Sequence, residues 1–298
     1  MSEYKIFCIV VTYCPDIKHL KLALASIAQQ TSNIIQVDNT PISKKTTPSP
    51  ENIQHIALGK NIGIAAAQNI GIRKALEQEA DVIWLSDQDT IYPTNFLVDM
   101  LAALHSCQAQ GTKLGAIAPT YFDTNKGALQ AFVRHSPFTQ FFTPQPGLHH
   151  VSHAIASGTL IISSALREIG LMQESLFIDW VDLEWCWRAK KQYGYHTICT
   201  GDVVIEHTMG DGSVQFLGKK VSIRSPLRHY YMVRNAVHIA LYSRAATVPI
   251  RLEIFSKALA WTLIFPQIAP SEKRKHLRAT LTGLWDGLCN RMGQKTLA

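Results

Sequence analysis

The chain has 298 residues, 47% of them hydrophobic and 17% charged, a make-up that supports a sizeable folded core and excludes a disordered or low-complexity chain. That length allows one large domain or one domain with an appendage. A net charge of +7 points to an anionic partner: a phosphate-bearing substrate, an anionic lipid surface or a nucleic acid.

Ile6 to Tyr13 is a continuous apolar run, read as a strand buried on both faces. Pro15-Asp16 ends it and starts a helix with Leu20, Leu24 and Ile27 on one face. Asn33 to Asn39 is a second strand ending in an acid and an amide, Pro41 to Asn52 a polar loop, and Ile53 to Leu58 a third, short strand. A helix follows from Asn61 to about Glu79, and then the strand Val82-Ile83-Trp84-Leu85, which runs into Ser86-Asp87-Gln88-Asp89. This alternation predicts an α/β fold with a mostly parallel central sheet and right-handed crossovers. Beyond it the sequence predicts a helix from Pro93 to about Gln110, a strand from Leu114 to Pro119 and an irregular excursion from Asn125 to His150. A strand from His153 to Ile162, kinked by small residues, comes next. A helix rich in Trp and acids lies within Phe177 to Tyr193, a last strand spans His196 to Ile205, and Asp211 to Ser225 reads as a mobile, glycine-containing loop. From Pro226 the pattern is amphipathic helix rich in Arg and Lys, so the domain boundary is set between 1–225 and 226–298.

Asp87 and Asp89 point the same way if the strand persists, at the carboxyl end where open α/β sheets place their ligands. Two hard oxygen ligands suit Mg²⁺ or Mn²⁺ held together with substrate phosphates; the plainer alternative is a pair of solvated strand-end acids. Asp38 has the same two readings, ligand contact or strand-end cap. Asp179, Asp182 and Glu184 crowd the start of a helix, whose dipole stabilises the carboxylate form and would keep a base deprotonated at pH 7. The six cysteines (Cys8, Cys14, Cys107, Cys186, Cys199, Cys289) are scattered with no CxxC pair, which fits reduced thiols of a cytosolic protein. His149, His150 and His153 have no acidic neighbour and read as ordinary loop and strand residues. The N-terminus shows no signal-peptide pattern, and no apolar run is long enough to span a bilayer.

Taken together, the first strand, Asp38, Asp87-Gln88-Asp89 and the Asp182 region resemble the inverting glycosyltransferases of the large family 2, which have the GT-A fold. The resemblance covers Ile6 to Asn235. The runs Phe177-Ile178-Asp179-Trp180-Val181-Asp182-Leu183-Glu184-Trp185-Cys186-Trp187-Arg188 and Tyr230-Tyr231-Met232-Val233-Arg234-Asn235 are most similar to bacterial rhamnosyltransferases. The resemblance implies that Thr12 and Tyr13 line the nucleotide, that Asp38 contacts its base, and that Asn61 and Gly63 open a helix beside it. It gives Asp87 a ribose or metal-shell contact, Asp89 and His207 the metal, Asp182 the role of general base, and Arg234, more than Arg228, the diphosphate. The family pattern of Glu-Asp, one residue, then Asp is broken by Val181 and Glu184, so Asp179 and Glu184 stay candidates for the base. Trp180, Trp185 and Trp187 are read as sugar platforms or core, with core the role for at least two.

In Ile250 to Phe265, Leu252, Phe255, Leu259, Leu263 and Ile264 interleave with Arg251 and Lys257, and Pro266 and Pro270 interrupt the pattern. A basic run from Lys273 to Arg278 then precedes Leu281, Leu284, Trp285 and Leu288. Such a segment suits an anionic membrane surface. The expectation is therefore an inverting, metal-dependent transferase that uses Mg²⁺ or Mn²⁺. It would move L-rhamnose from dTDP-L-rhamnose to a lipid-linked glycan acceptor of a cell-surface polysaccharide. It would sit in the cytoplasm, peripheral on the inner face of the bacterial cytoplasmic membrane. The rivals are a UDP-hexose or UDP-galactofuranose donor, and a non-catalytic glycan- or membrane-binding protein. A dinucleotide oxidoreductase lacks its GxGxxG, since Thr12-Tyr13-Cys14-Pro15 follows the first strand. No nucleic-acid module is present.

Overall fold

The computed structural model describes residues 4–44, 49–124, 127–135, 139–207, 213–216, 219–222, 224–269 and 271–296, without the side chains of 207, 213–216 and 219–222. Strands β1 (Ile6–Thr12) and β2 (Ile34–Asp38) flank helix α1 (Ile17–Ala28). β3 (Gln54–Ala57) leads into α2 (Ile64–Glu77) and β4 (Val82–Ser86), and α3 (Phe96–Ala109) into β5 (Leu114–Asp123). Four short strands follow: β6 (Ala128–Leu129), β7 (Phe132–His135), β8 (Thr139–Phe142) and β9 (Leu148–Val151). Then come β10 (Leu160–Ile162), α4 (Ser163–Ile169), α5 (Val181–Tyr193), β11 (His196–His207), β12 (Ser213–Phe216) and β13 (Lys219–Ser222). The chain closes on α6 (Pro226–Leu241), α7 (Val248–Ile268) and α8 (Lys273–Leu288).

The main sheet runs β3-β2-β1-β4-β10-β5-β11-β9, with β6 paired to β5. β1 is parallel to β2 and β4, β2 to β3, and β5 to β11. β10 is antiparallel to both its neighbours, and β9 to β11. The apolar runs of β1, β2 and β4 are buried at every residue because both sheet faces are covered. Alternation sends Phe7, Ile9, Val11, Ile83 and Leu85 into one core with α2 and α5. It sends Ile6, Cys8, Val10, Val82 and Trp84 into the other with α1 and α3. Each such side chain contributes about 1.5–3 kcal/mol on burial. Asp16 caps α1, accepting the Lys18 and His19 N–H groups at 2.9 and 3.0 Å, and Leu20, Leu24 and Ile27 are the buried face, as the spacing predicts.

Three stretches differ from the sequence reading. The excursion from Asn125 to His150 contains β6 to β9, with β7 and β8 forming a separate ribbon; strands of two to four residues are too short for alternation to be visible in sequence. Only Leu160–Ile162 of the expected His153 strand pairs in the sheet. Ahead of it the chain turns at Gly158 (φ +78°), where a Cβ would lie 2.9 Å from Pro119 Cγ. Within the expected loop from Asp211 to Ser225, β12 and β13 pair antiparallel, while residues 211–212, 217–218 and 223 lie outside the described part of the chain.

The C-terminal helices continue the core: Ile239, Ala240, Ala245, Ala246, Ile250 and Ile254 pack in the same cluster as Phe7 and Trp185. α8 lies close on α6 because Gly283 and Gly287 carry no Cβ; one would stand 2.6 Å from Tyr230 O, the other 2.8 Å from Arg234 O. α7 runs through Pro266 to Ile268 rather than breaking there. Proline removes the N–H that would bond the Thr262 carbonyl four residues back, and the Thr280 hydroxyl of α8 donates to that carbonyl instead, at 3.2 Å. All six cysteines are free thiols. Among the described residues no helix is long and apolar enough to cross a membrane.

Candidate active site

The carboxyl ends of β1, β2 and β4 meet at one edge, where a cleft of about 980 Å³ opens. Tyr13, Asn39, Asn61, Gly63, Asp87 and Asp89 line it; Thr12 and Asp38, expected to contact the nucleotide, are buried at the same strand ends and are not among the lining residues. Gln88, between the two acids, ties β4 to β1: its Oε1 accepts the Tyr13 N–H at 2.8 Å. Asp38 is 1% exposed. Its Oδ1 accepts from Thr40 N at 3.0 Å and Thr12 Oγ1 at 3.3 Å. Its Oδ2 has no hydrogen-bond partner and lies 4.0 Å from His55 Nε2. A buried carboxylate oxygen left without a hydrogen-bond donor is costly, and here the His55 imidazole is the group that faces it. Asn61 is a scaffold residue: its Oδ1 accepts from Asn39 Nδ2 and Gly63 N, both at 3.0 Å. Gly63 (φ +88°) starts α2, and a Cβ there would lie 2.6 Å from the Phe177 carbonyl oxygen; only glycine fits. One turn on, Gln68 is buried, lines the cleft and leaves Oε1 without a partner. Nothing in its type or spacing marked it in the sequence.

The opposite wall begins with a strained turn. Phe177, Asp179 and Trp180 all have positive φ (66°, 64° and 69°), at about 1–3 kcal/mol each for residues with side chains. Ile178 N–H donates to Leu176 O at 2.8 Å, and Phe177 at φ 66°, ψ −62° is the centre of a γ-turn of the rarer, positive-φ hand. The turn delivers three carboxylates to three different settings. Asp179 is held bidentately by Arg228, Nε to Oδ2 at 2.8 Å and Nη2 to Oδ1 at 2.6 Å. Glu184 is buried and held by Arg188, at 2.9 and 3.1 Å, away from the cleft. Asp182 faces the cleft, its Oδ2 accepting the Ala156 N–H at 3.1 Å. Its pKa is pushed up to about 7, by burial first and by the charge of Asp87 next; the Ala156 bond opposes this and Asp179 adds a little. The helix dipole expected to keep Asp182 acidic is thus outweighed.

Arg234, expected at the diphosphate, is fully buried and does not line the cleft. Its guanidinium donates to backbone carbonyls of Ser175 and Leu176; a buried Arg whose donors are spent on carbonyls has none to offer a phosphate. The guanidiniums on the cleft are those of Arg224 and Arg228. His207 ends β11 beside Asp123, and its side chain lies outside the described residues. Trp185 and Trp187 are core, as expected for two of the three. Trp180 lines the cleft, with Nε1 fixed to Met232 O at 3.0 Å. Trp261 of α7 joins it, ring centroids 5.9 Å apart; from the sequence Trp261 was one apolar residue in an amphipathic helix. Among the described residues no group of three or more His, Cys, Asp or Glu is placed to hold a metal ion. The strand does not persist through the two acids: β4 ends at Ser86, and Gln88 and Asp89 lie in a turn. Asp87 and Asp89 therefore line the cleft from a turn and not as alternate residues of a strand; both remain hard oxygen donors of the type Mg²⁺ and Mn²⁺ take.

A family model described as glycosyl transferase family 2 matches residues 8–170. The dTDP-rhamnosyl transferase RfbF of Shigella flexneri is 33% identical over 298 residues, covering 94% of this chain and 95% of the relative. The low-salt glycan biosynthesis hexosyltransferase Agl10 of Haloferax volcanii is 27% identical over 190 residues, 59% of this chain and 58% of its own. Among solved structures, GalNAc-T7 with UDP, GalNAc and Mn²⁺ superposes with a TM-score of 0.56 at 11% identity, covering 89% of this chain and 59% of that one. TarS 1–349 of S. aureus in complex with UDP-GlcNAc gives 0.55 at 15% identity, covering 95% and 81%. At those identities the two structures speak to the fold alone.

Proposed function

The chain belongs to glycosyl transferase family 2, and from that premise we propose that it is an inverting transferase which moves L-rhamnose from dTDP-L-rhamnose to a lipid-linked glycan. Its fold is the α/β GT-A type, and its activity class is glycosyltransferase, rhamnosyltransferase-like. The observation that carries the mechanistic reading is the placement of Asp182: of the three acids around the turn, it alone faces the cleft without an arginine holding it.

In this reading the nucleotide lies along the strand ends, over Tyr13, with its base toward the end of β2 that carries Asp38. Asn61 and Gly63 shape the start of α2 beside it, and Arg228 in place of Arg234 reaches the diphosphate. Asp87 and Asp89 would hold Mg²⁺ or Mn²⁺, with the His207 side chain a further candidate ligand, and a bound cation there neutralises the charge of the diphosphate leaving group. The acceptor sugar lies against Trp180 and Trp261, whose ring faces match the C–H face of a pyranose. An acceptor hydroxyl oxygen attacks the anomeric carbon from the face opposite the diphosphate. The bond from that carbon to the diphosphate oxygen breaks, the nucleoside diphosphate departs, and the hydroxyl proton passes to Asp182. Burial, the largest cause of the raised pKa of Asp182, favours its proton-bearing form and so strengthens it as a proton acceptor.

We also propose a division of labour at Pro226: residues 1–225 carry the base, the metal-binding acids and most of the donor site, while 226–298 add Arg228 at the diphosphate, Trp261 on the acceptor wall and the membrane contact. The exposed faces of α7 and α8 carry Leu252, Leu259, Leu263, Leu281 and Trp285, each at least 43% exposed. Lys273, Arg274, Lys275 and Arg278 adjoin them, a combination suited to the surface of the anionic inner leaflet. A donor panel with purified protein and Mg²⁺ or Mn²⁺, read as released nucleoside diphosphate, tests the reading. dTDP-L-rhamnose is expected to turn over fastest; preference for a UDP-hexose or UDP-galactofuranose moves the donor assignment, and no metal-dependent turnover of any donor overturns the enzyme reading.

A further inference from the structure

We infer that Arg234 and Asn235 are positioning residues for the transfer step: they hold the strained turn that leads into α5 and so fix the place of Asp182. The inference rests on the reading of Asp182 as base. Asn235 Nδ2 donates to Leu176 O at 2.9 Å, Ile178 O at 2.8 Å and Asp179 O at 3.1 Å. Two hydrogens thus serve three carbonyls within one turn. Arg234 Nη2 donates to Leu176 O at 3.0 Å and Ser175 O at 3.2 Å. Arg234 Nε donates to Asn235 Oδ1 at 2.9 Å, which orients the amide with its NH₂ toward the turn. Both side chains are 0% exposed. The guanidinium lies 4.7 Å from the Tyr231 ring centroid, and that ring stacks on Phe177 at 5.0 Å and 16°.

The other side of the same turn is gripped by α2. Ile64 N–H donates to Phe177 O at 2.7 Å, and Asn69 Nδ2 holds the segment ahead of the turn through Met172 O at 2.9 Å. With Glu184 N–H on Trp180 O, every carbonyl from Ser175 to Trp180 has a donor. A turn with three positive-φ side-chain-bearing residues relaxes when its carbonyls lose their partners. Asp182 is three residues beyond Asp179 and moves with it. A displacement of ~1 Å at a reacting group costs on the order of 10²-fold in rate. Neither Arg234 nor Asn235 lines the cleft, so they act on substrate only through the turn.

The test is a double-mutant cycle. Asn235→Ala and Arg234→Lys are made alone and with Asp182→Asn, and kcat is measured beside donor affinity from calorimetry. Asn235→Ala is expected to lower kcat by ~10–10²-fold, to leave donor affinity within ~2-fold, and to lower kcat by less than ~3-fold once Asp182 is already Asn. Arg234→Lys keeps the charge but loses the fork that holds the amide, so the same pattern is expected with a smaller fall. Equal falls in both backgrounds, or donor affinity lost in step with kcat, overturn the inference and leave the pair as fold residues. If Asn235→Ala does not fold, Asn235→Ser and Arg234→Lys carry the same cycle. Near-normal turnover of Asp182→Asn alone overturns the base assignment instead, and is read separately from the cycle.

Discussion

The two walls of the cleft are built in opposite ways. On the sheet side, Asp38, Asp87 and Asp89 stand at or just past the ends of β2 and β4, delivered by parallel strands whose ends coincide. On the helical side, Asp179, Asp182 and Glu184 fall within six residues of one strained turn, and arginines from α6 and α5 bind the outer two. On the first wall position in the sequence nearly determines place in the site. On the second it does not: three acids of similar spacing become a cleft-lining ion pair, a buried ion pair and a carboxylate with a raised pKa, because partners from elsewhere in the chain sort them.

Substitutions on each wall sharpen this contrast. Asp89→Ala on the sheet side should give the largest effect, a loss of ~10³-fold or more in turnover, since charge at the leaving group is then no longer offset. Asp89 is exposed, so the melting temperature should hardly move. Near-normal turnover with metal chelated would remove the metal assignment. On the helical side, Glu184→Gln should do the reverse. It leaves the half-buried Arg188 without its counter-charge but with the Ile169 and Leu171 carbonyls as acceptors, at a cost of roughly 1–3 kcal/mol, seen as a lower denaturation midpoint with kcat per folded molecule retained.

Asp182→Asn should affect stability in a third, pH-dependent way. The folded pKa of about 7 lies above the ordinary value of 3.8, so the native state keeps a proton that the unfolded chain releases. The stability this confers is complete below the unfolded value and lost as pH rises through about 7. In metal-free buffer the variant should match the wild type near pH 4 and melt higher at pH 8; a gap that does not change with pH would contradict the raised pKa. The smallest effects belong to the outer faces of α7 and α8. Binding to anionic liposomes should weaken with salt and by ~1 kcal/mol for each of Lys273, Arg274 and Arg278 removed. Equal, negligible flotation with neutral and anionic liposomes would mean that these faces meet no membrane.

Most of the scaffold was legible in the sequence because its elements are long and periodic: the apolar runs of β1, β2 and β4, the Leu20–Leu24–Ile27 stripe of α1 and the start of the helical region at Pro226. What was lost was short or tertiary. Strands of two to four residues between Ala128 and Val151 carry no readable period, and the antiparallel β10 is a matter of topology. In the site, Asp87, Asp89 and Asp182 could be named from strand ends and motif resemblance. Arg234 was misread from its type, although it shares a helical face with Tyr230 and Val237, which already placed it toward the core. Gln68 and Trp261 carried no local signal, because only the packing of α2 and α7 brings them to the cleft.

The central claim is that Asp182, alone among the acids of the turn, takes the acceptor proton. The most direct test measures kcat at saturating donor, acceptor and metal for Asp179→Asn, Asp182→Asn and Glu184→Gln, with donor affinity recorded beside each. The account predicts a fall of at least ~10²-fold for Asp182→Asn with donor affinity kept, and less than ~10-fold for the other two. A larger fall at Asp179 or Glu184, or near-normal turnover of Asp182→Asn, would contradict it.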